Sequence, residues 1–128
     1  MFQAERFRVI RANEVDFPAF YRVIWTEHVA EFTDLSLQDR NLCMACVAAV
    51  EHALRENLQP TKINLATLGN MVPHLHWHVI ARFDWDSRFP AAVWAEPKRV
   101  ADRVAEEVVR AKLPLAEQDM ATRLAQFV

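Results

Sequence analysis

Apolar and polar positions alternate along this chain with two different periods, and the changes of period mark its elements. Residues 6–10 (Arg6, Phe7, Arg8, Val9, Ile10) alternate with a period of two. So do residues 20–25, with Tyr21, Val23 and Trp25 on one side and Phe20, Arg22 and Ile24 on the other. Strand side chains point to opposite faces in turn, so both segments are predicted strands. The stretch from Arg11 to Pro18, with Asn13, Asp16 and Pro18, reads as a loop, and the two strands are expected to pair as a hairpin.

The period then lengthens. Ser36 followed three residues later by Asp39 is a capping-box pattern, and Leu42, Cys43, Cys46, Val47, Val50, Leu54 and Leu58 recur at steps of three and four. This predicts an amphipathic helix over 36–58, ended by Pro60. Over 62–67 the period returns to two, with Ile63 and Leu65 opposite Asn64 and Ala66. A turn from Leu68 to Pro73 leads into His74-Leu75-His76-Trp77-His78-Val79-Ile80, another period-two strand. Pairing these two as a hairpin sets Ile63, Leu65, Leu75, Trp77 and Val79 against the helix, and Asn64 beside the histidines. The stretch from Phe83 to Pro97, with Trp85, Phe89 and Trp94, reads as loop. Val100, Val104 and Val108 predict a second helix stopped near Pro114, and a short third helix with Leu124 and Phe127 closes the chain. The expected fold is α+β: one domain over 1–128, a small antiparallel sheet with a central helix packed on one face, and C-terminal helices.

Composition narrows the function. A chain of 128 residues, 52% hydrophobic, is long enough for a real core. The formal net charge of −2 leaves no basic footprint for a nucleic acid polymer. No apolar run approaches the roughly 20 residues of a membrane span, and Met1 to Arg6 lacks the apolar core of a secretory signal. With only two cysteines, a reducing cytoplasmic setting is expected. Cys43 and Cys46 form Cys-x-x-Cys, but on the apolar stripe of the helix, where two core thiols are the expectation. The single glycine, Gly69, stands in the turn before the histidines, where it suits a tight bend or a close approach of backbone to phosphate.

Three of the five histidines, His74, His76 and His78, fall within five residues. Same-face neighbours on a strand lie roughly 6–7 Å apart, so the row can grip one small, charged group. Attack on a phosphoanhydride needs a nucleophile that does not repel phosphate, and neutral imidazole meets that need. Three histidines also suit zinc. His52, among polar positions of the helix, is expected at the surface.

The run from His74 to Ile80 resembles the His-φ-His-φ-His-φ-φ signature (φ apolar) of the histidine triad family of nucleotide hydrolases and transferases. The resemblance extends to Asn64, to Gly69-Asn70-Met71-Val72-Pro73, and to Val23-Ile24-Trp25-Thr26-Glu27-His28-Val29. It covers residues 20–83, and is greatest to small bacterial members described as diadenosine-tetraphosphate-hydrolase-like. It implies that His76 is the nucleophile, carrying a nucleotidyl-imidazole intermediate that water hydrolyses. His78 would hold phosphate or leaving-group oxygens, and His74 would orient the row. Asn64 and the amides around Gly69 and Asn70 would donate to phosphate in place of a metal, with His28 nearby. No cofactor or metal is implied, and the assembly implied is a homodimer. Alternatives are a non-catalytic nucleotide-binding module on the same fold and a zinc enzyme. Three positions depart from the pattern: Asn70 replaces Gln, Met71 stands where some members place Ser, and Ala81 replaces Pro. Trp85 and Trp94 suit either a lid or a dimer contact.

Overall fold

The computed structural model describes residues 1–128. Strands β1 (Phe2–Gln3), β2 (Phe7–Arg11), β3 (Phe20–Trp25), β4 (Lys62–Ala66) and β5 (His76–Arg82) form one sheet of order β1-β2-β3-β5-β4. Every neighbouring pair is antiparallel. Both expected hairpins form, and β5 is clasped between β3 and β4. Helix α1 (Leu37–Leu58) lies on one face of the sheet and packs against α2 (Arg103–Leu124).

The start of α1 is the expected one: the Ser36 hydroxyl accepts from the Asp39 amide at 3.1 Å. At its end Gln59 takes the left-handed conformation (φ 45°) that a glycine would usually supply. That geometry costs a non-glycine residue roughly 1–2 kcal/mol, and Pro60 then blocks further helix. Parity sets Phe7, Val9, Tyr21, Val23, Trp25, Val79 and Ala81 into one core with the buried stripes of both helices. Cys43 and Cys46 belong to that core. Burial pushes their thiols up, Cys43 to about 11 and Cys46 to about 12, the second also opposed by Cys43. They are inert packing groups, as expected. Trp77 faces the same side and meets Phe32 edge-on at 5.7 Å. Leu65 has the expected parity but stays 45% exposed on the edge strand β4.

The C-terminal region differs from expectation. One helix runs from Arg103 to Leu124 straight through Pro114, and the chain closes in a single 3₁₀ turn over Ala125–Phe127. The valines that suggested its inner stripe, Val100, Val104 and Val108, are exposed, while Val109, Leu113, Ala116, Met120 and Leu124 are buried. Proline removes one helical hydrogen bond and crowds the preceding turn. Here Leu113 and Ala116, on either side of it, are both buried in the shared core, and that tertiary packing outweighs the local defect. The helix starts at Asp102, whose carboxylate accepts from the amides of Val104 and Ala105.

The other face of the sheet is covered at one end by the segment following β5. Val93 joins Ala12, Phe17, Phe20 and Ile80 in a second, smaller core. Arg82, 1% exposed, ties this end together. Its Nε and Nη2 donate to the two carboxylate oxygens of Asp86 at 2.8 and 3.1 Å, Nη2 also to the Ala91 carbonyl, and Nη1 to Asn64 Oδ1 at 2.9 Å. Burial alone would raise the Asp86 carboxyl, but hydrogen bonds from Arg82 and from the Arg88 and Phe89 amides, with the Arg82 charge, hold it below the usual range.

Candidate active site on the open face of the sheet

Because β5 alternates, Trp77, Val79 and Ala81 face the helices while His76, His78, Ile80 and Arg82 face away. The strand begins at His76, however, and His74 lies before it. The single row of three imidazoles is therefore not formed. The chain bends where Leu75 donates to the Val29 carbonyl at 2.8 Å. The His74 ring turns along the end of β3, with Nε2 2.6 Å from the Trp25 carbonyl and Nδ1 2.8 Å from Nδ1 of His28.

These contacts assign protons. A carbonyl only accepts, so His74 Nε2 carries hydrogen. In the neutral ring its Nδ1 is then the acceptor, and His28 Nδ1 donates to it. His76 Nδ1 lies 2.7 Å from the main-chain carbonyl of His74 and likewise carries hydrogen. The lone pair of a neutral His76 is left on Nε2. His28 acts on the site through His74, and it does not line the cleft described below.

His78 is 6% exposed. Phe20 and Trp94 meet its ring edge-on at 5.4 and 5.6 Å, and the His76 ring at 5.0 Å. Burial, then the proximity of His76 and Arg22, pushes His78 down to about 4, so it is neutral at physiological pH. Its Nδ1 is buried without a partner. A buried lone pair left alone costs less than a buried N–H left alone, so the hydrogen belongs on Nε2. Trp94 thus caps the far side of His78, whereas Trp85 stacks on Phe83 at 4.8 Å, away from the histidines.

Asn64 pairs with Ile80 across β4 and β5, which sets it on the histidine face as expected. Because Arg82 donates to its oxygen, the amide orientation is determined and the NH₂ group is left to donate. The Leu68–Pro73 turn uses Gly69 at φ +71°, where an added Cβ would sit 3.4 Å from the Val72 carbonyl oxygen. Neither Gly69 nor the exposed Asn70 bonds to a histidine. The turn reaches the site through Val72.

Val72, His74, His76, Ile24, Arg22 and Arg8 enclose an open cleft of about 350 Å³. The two arginines were not among the site residues expected. Arg22 shared the face of Phe20 and Ile24 in the strand pattern. Only the pairing of β3 with β5, which sets Arg22 opposite His78 and Ile24 opposite His76, brings that face to the histidines. Arg8 follows one strand further, opposite Ile24.

This architecture has known counterparts. The chain is similar to a histidine triad protein from Bradyrhizobium japonicum (TM-score 0.71, 24% identity, covering 99% of this chain and 87% of that one). It is also similar to one from Marinobacter aquaeolei VT8 (TM-score 0.70, 28% identity, 91% and 86%). A zinc-bound histidine triad family protein from Mycobacterium smegmatis aligns with TM-score 0.58 at 21% identity over 98% of this chain and 82% of that one. No curated protein matches the chain. The family model of the HIT domain matches residues 1–85, from β1 through the end of the histidine strand. The chain therefore belongs to the histidine triad family, whose membership supports, in general terms, nucleotide binding or nucleotide hydrolase or transferase activity.

Proposed function

We propose that the protein is a nucleotide hydrolase or nucleotidyl transferase that cleaves at the α-phosphorus through a covalent intermediate on His76. Dinucleoside polyphosphates are the favoured substrates, on the resemblance of the His74–Ile80 run to diadenosine-tetraphosphate-hydrolase-like members of the family. The observation that carries this reading is the 2.7 Å bond from His76 Nδ1 to the His74 carbonyl, which leaves Nε2 with its lone pair beside an open cationic cleft. Nε2 attacks phosphorus; the N–P bond forms as the bond to the departing phosphate oxygen breaks, and that oxygen takes the electron pair. Water then attacks the same phosphorus and releases His76. The Nε2–H of neutral His78 and the NH₂ of Asn64 are the donors for phosphate oxygens, a role in which fixed dipoles stabilise developing charge. The amides of Gly69 and Asn70 are the further phosphate donors that the family resemblance implies.

The zinc alternative has weaker support in the geometry. His74 commits both ring nitrogens and His76 one, and no three metal-ligating side chains converge. A homodimer is proposed with the family, and is consistent with the free edge of β4, its exposed Leu65 and the exposed Leu68 of the turn that follows. Free, buried Cys43 and Cys46 are compatible with a cytoplasmic setting. No helix is long and apolar enough to cross a membrane.

The test is a product profile over dinucleoside polyphosphates, nucleotide phosphoramidates and nucleotide sugars. Attack at the α-phosphorus releases a nucleoside monophosphate from each accepted substrate. Binding without monophosphate release from any of them would make the protein a nucleotide-binding module.

A further inference from the structure

The two arginines of the cleft have almost nothing to do within the protein. The Arg8 side chain is exposed and makes no hydrogen bond and no ion pair. Arg22 has one long ion pair, to Glu14 at 3.7 Å, and its guanidinium lies 5.8 Å from the Phe20 ring centroid, while its Nε is buried with no hydrogen-bond partner. No carboxylate lines the cleft. Two cations side by side on a sheet repel each other, and a buried N–H without an acceptor is rare in native structures. Such an arrangement is relieved by an anionic ligand.

Position defines that ligand further. Phe20 and Trp94 shut one side of His78, so approach to His76 is from the arginine side. Across the sheet, Arg22 stands one strand away from the histidines and Arg8 two strands away, roughly 5 and 10 Å at the usual strand spacing. A phosphate at His76 is within range of the long Arg22 side chain. Only a ligand that continues across the sheet reaches Arg8.

We propose that Arg22 and Arg8 form a polyphosphate subsite, which makes the protein selective for nucleotides whose attacked phosphorus carries a chain of further phosphates. This rests on the assignment of His76 as nucleophile and adds to it the part of the substrate that is discriminated. Guanidinium groups suit the task because their paired N–H donors match phosphate oxygens. A nucleotide with a neutral leaving group, such as an alkyl phosphoramidate, fills the reaction centre and leaves Arg8 unpaired.

Two measurements test this on the intact protein. Calorimetric titration with inorganic tripolyphosphate reads the subsite without any reaction. Wild type should bind it. Arg8→Gln should weaken binding about tenfold and Arg22→Gln at least as much, the scale of one lost charge-assisted bond, with Arg22→Lys between Arg22→Gln and wild type. Arg8 is exposed, so its replacement leaves packing intact. In kinetics, Arg8→Gln should lower kcat/KM for diadenosine tetraphosphate about tenfold more than for an adenosine phosphoramidate. Wild type that ignores tripolyphosphate, variants that bind it as wild type does, or equal losses on both substrates would overturn the subsite, the last by showing that the arginines hold the shared nucleoside. Weakened tripolyphosphate binding without cleavage of any nucleotide would keep the subsite and remove the hydrolase assignment.

Discussion

His76 donates its Nδ1 hydrogen to the main-chain carbonyl of His74, 2.7 Å away, so the tautomer of one histidine is set by the backbone of another. That carbonyl survives any substitution at position 74, whereas nothing replaces Nε2 of His76. Replacing His76 by Ala or Asn should therefore lower turnover by about 10³-fold or more, with nucleotide affinity held within about tenfold. His74→Ala should cost far less, because only the tether to Trp25 and His28 is lost. Folding should persist in both, since neither side chain faces the core. Rapid quenching with labelled substrate should trap an acid-labile phosphoramidate on wild type and none on the His76 variant. A His76→Ala protein with a tenth of wild-type rate would rule out covalent catalysis.

His78 makes stability depend on pH. It protonates near 6.5 when unfolded, but only at about 4 when folded. Between those values the unfolded chain binds more protons, so this contribution to stability is complete above pH 6.5 and lost as pH falls toward 4. The full span is on the order of 3 kcal/mol. Urea midpoints of wild type and His78→Gln, taken at intervals across that range, should show wild type losing stability relative to the variant as the solution is acidified. Parallel curves would mean that His78 is not held neutral by burial.

Asp86→Asn should be severely destabilising. It leaves the Arg82 guanidinium buried without its counter-charge, a change that typically costs about 3–5 kcal/mol. The same substitution weakens the acceptors that hold the Phe89 and Arg88 amides. Thermal unfolding should register a clear fall in Tm. A loss below about 1 kcal/mol, the range of an exposed pair, would show that this end of the sheet admits water.

Pro114→Ala should have the opposite sign. Pro114 is exposed within α2, so replacing it removes little packing, restores a helical N–H and relieves crowding of the turn before it. A gain of about 1–3 kcal/mol is expected from the proline penalty inside a helix, seen as a higher denaturation midpoint. A loss would mean that α2 needs the altered path of a proline to fit α1.

What the sequence determined by itself is whatever depends on near neighbours. Side-chain alternation placed His76, His78 and Asn64 on one face and Trp77 and Val79 on the other. Steps of three and four placed Cys43 and Cys46 in the core, and Ser36 with Asp39 marked the start of α1. These are properties of a few consecutive residues, and tertiary packing reinforced them. Tertiary structure alone decided which stripe of α2 turned inward, because the competing Val104–Val108 stripe is equally periodic and only contact with α1 chooses between them. It drew His74 off the strand, through contacts with Trp25 and His28 more than forty residues earlier. It set Trp94 on His78, joined Asn64 to Arg82 and Asp86, and brought Arg22 and Arg8 to the cleft by pairing β3 with β5 and β2 with β3. No local period encodes which strands become neighbours, since that is settled by the burial of the whole sheet against α1.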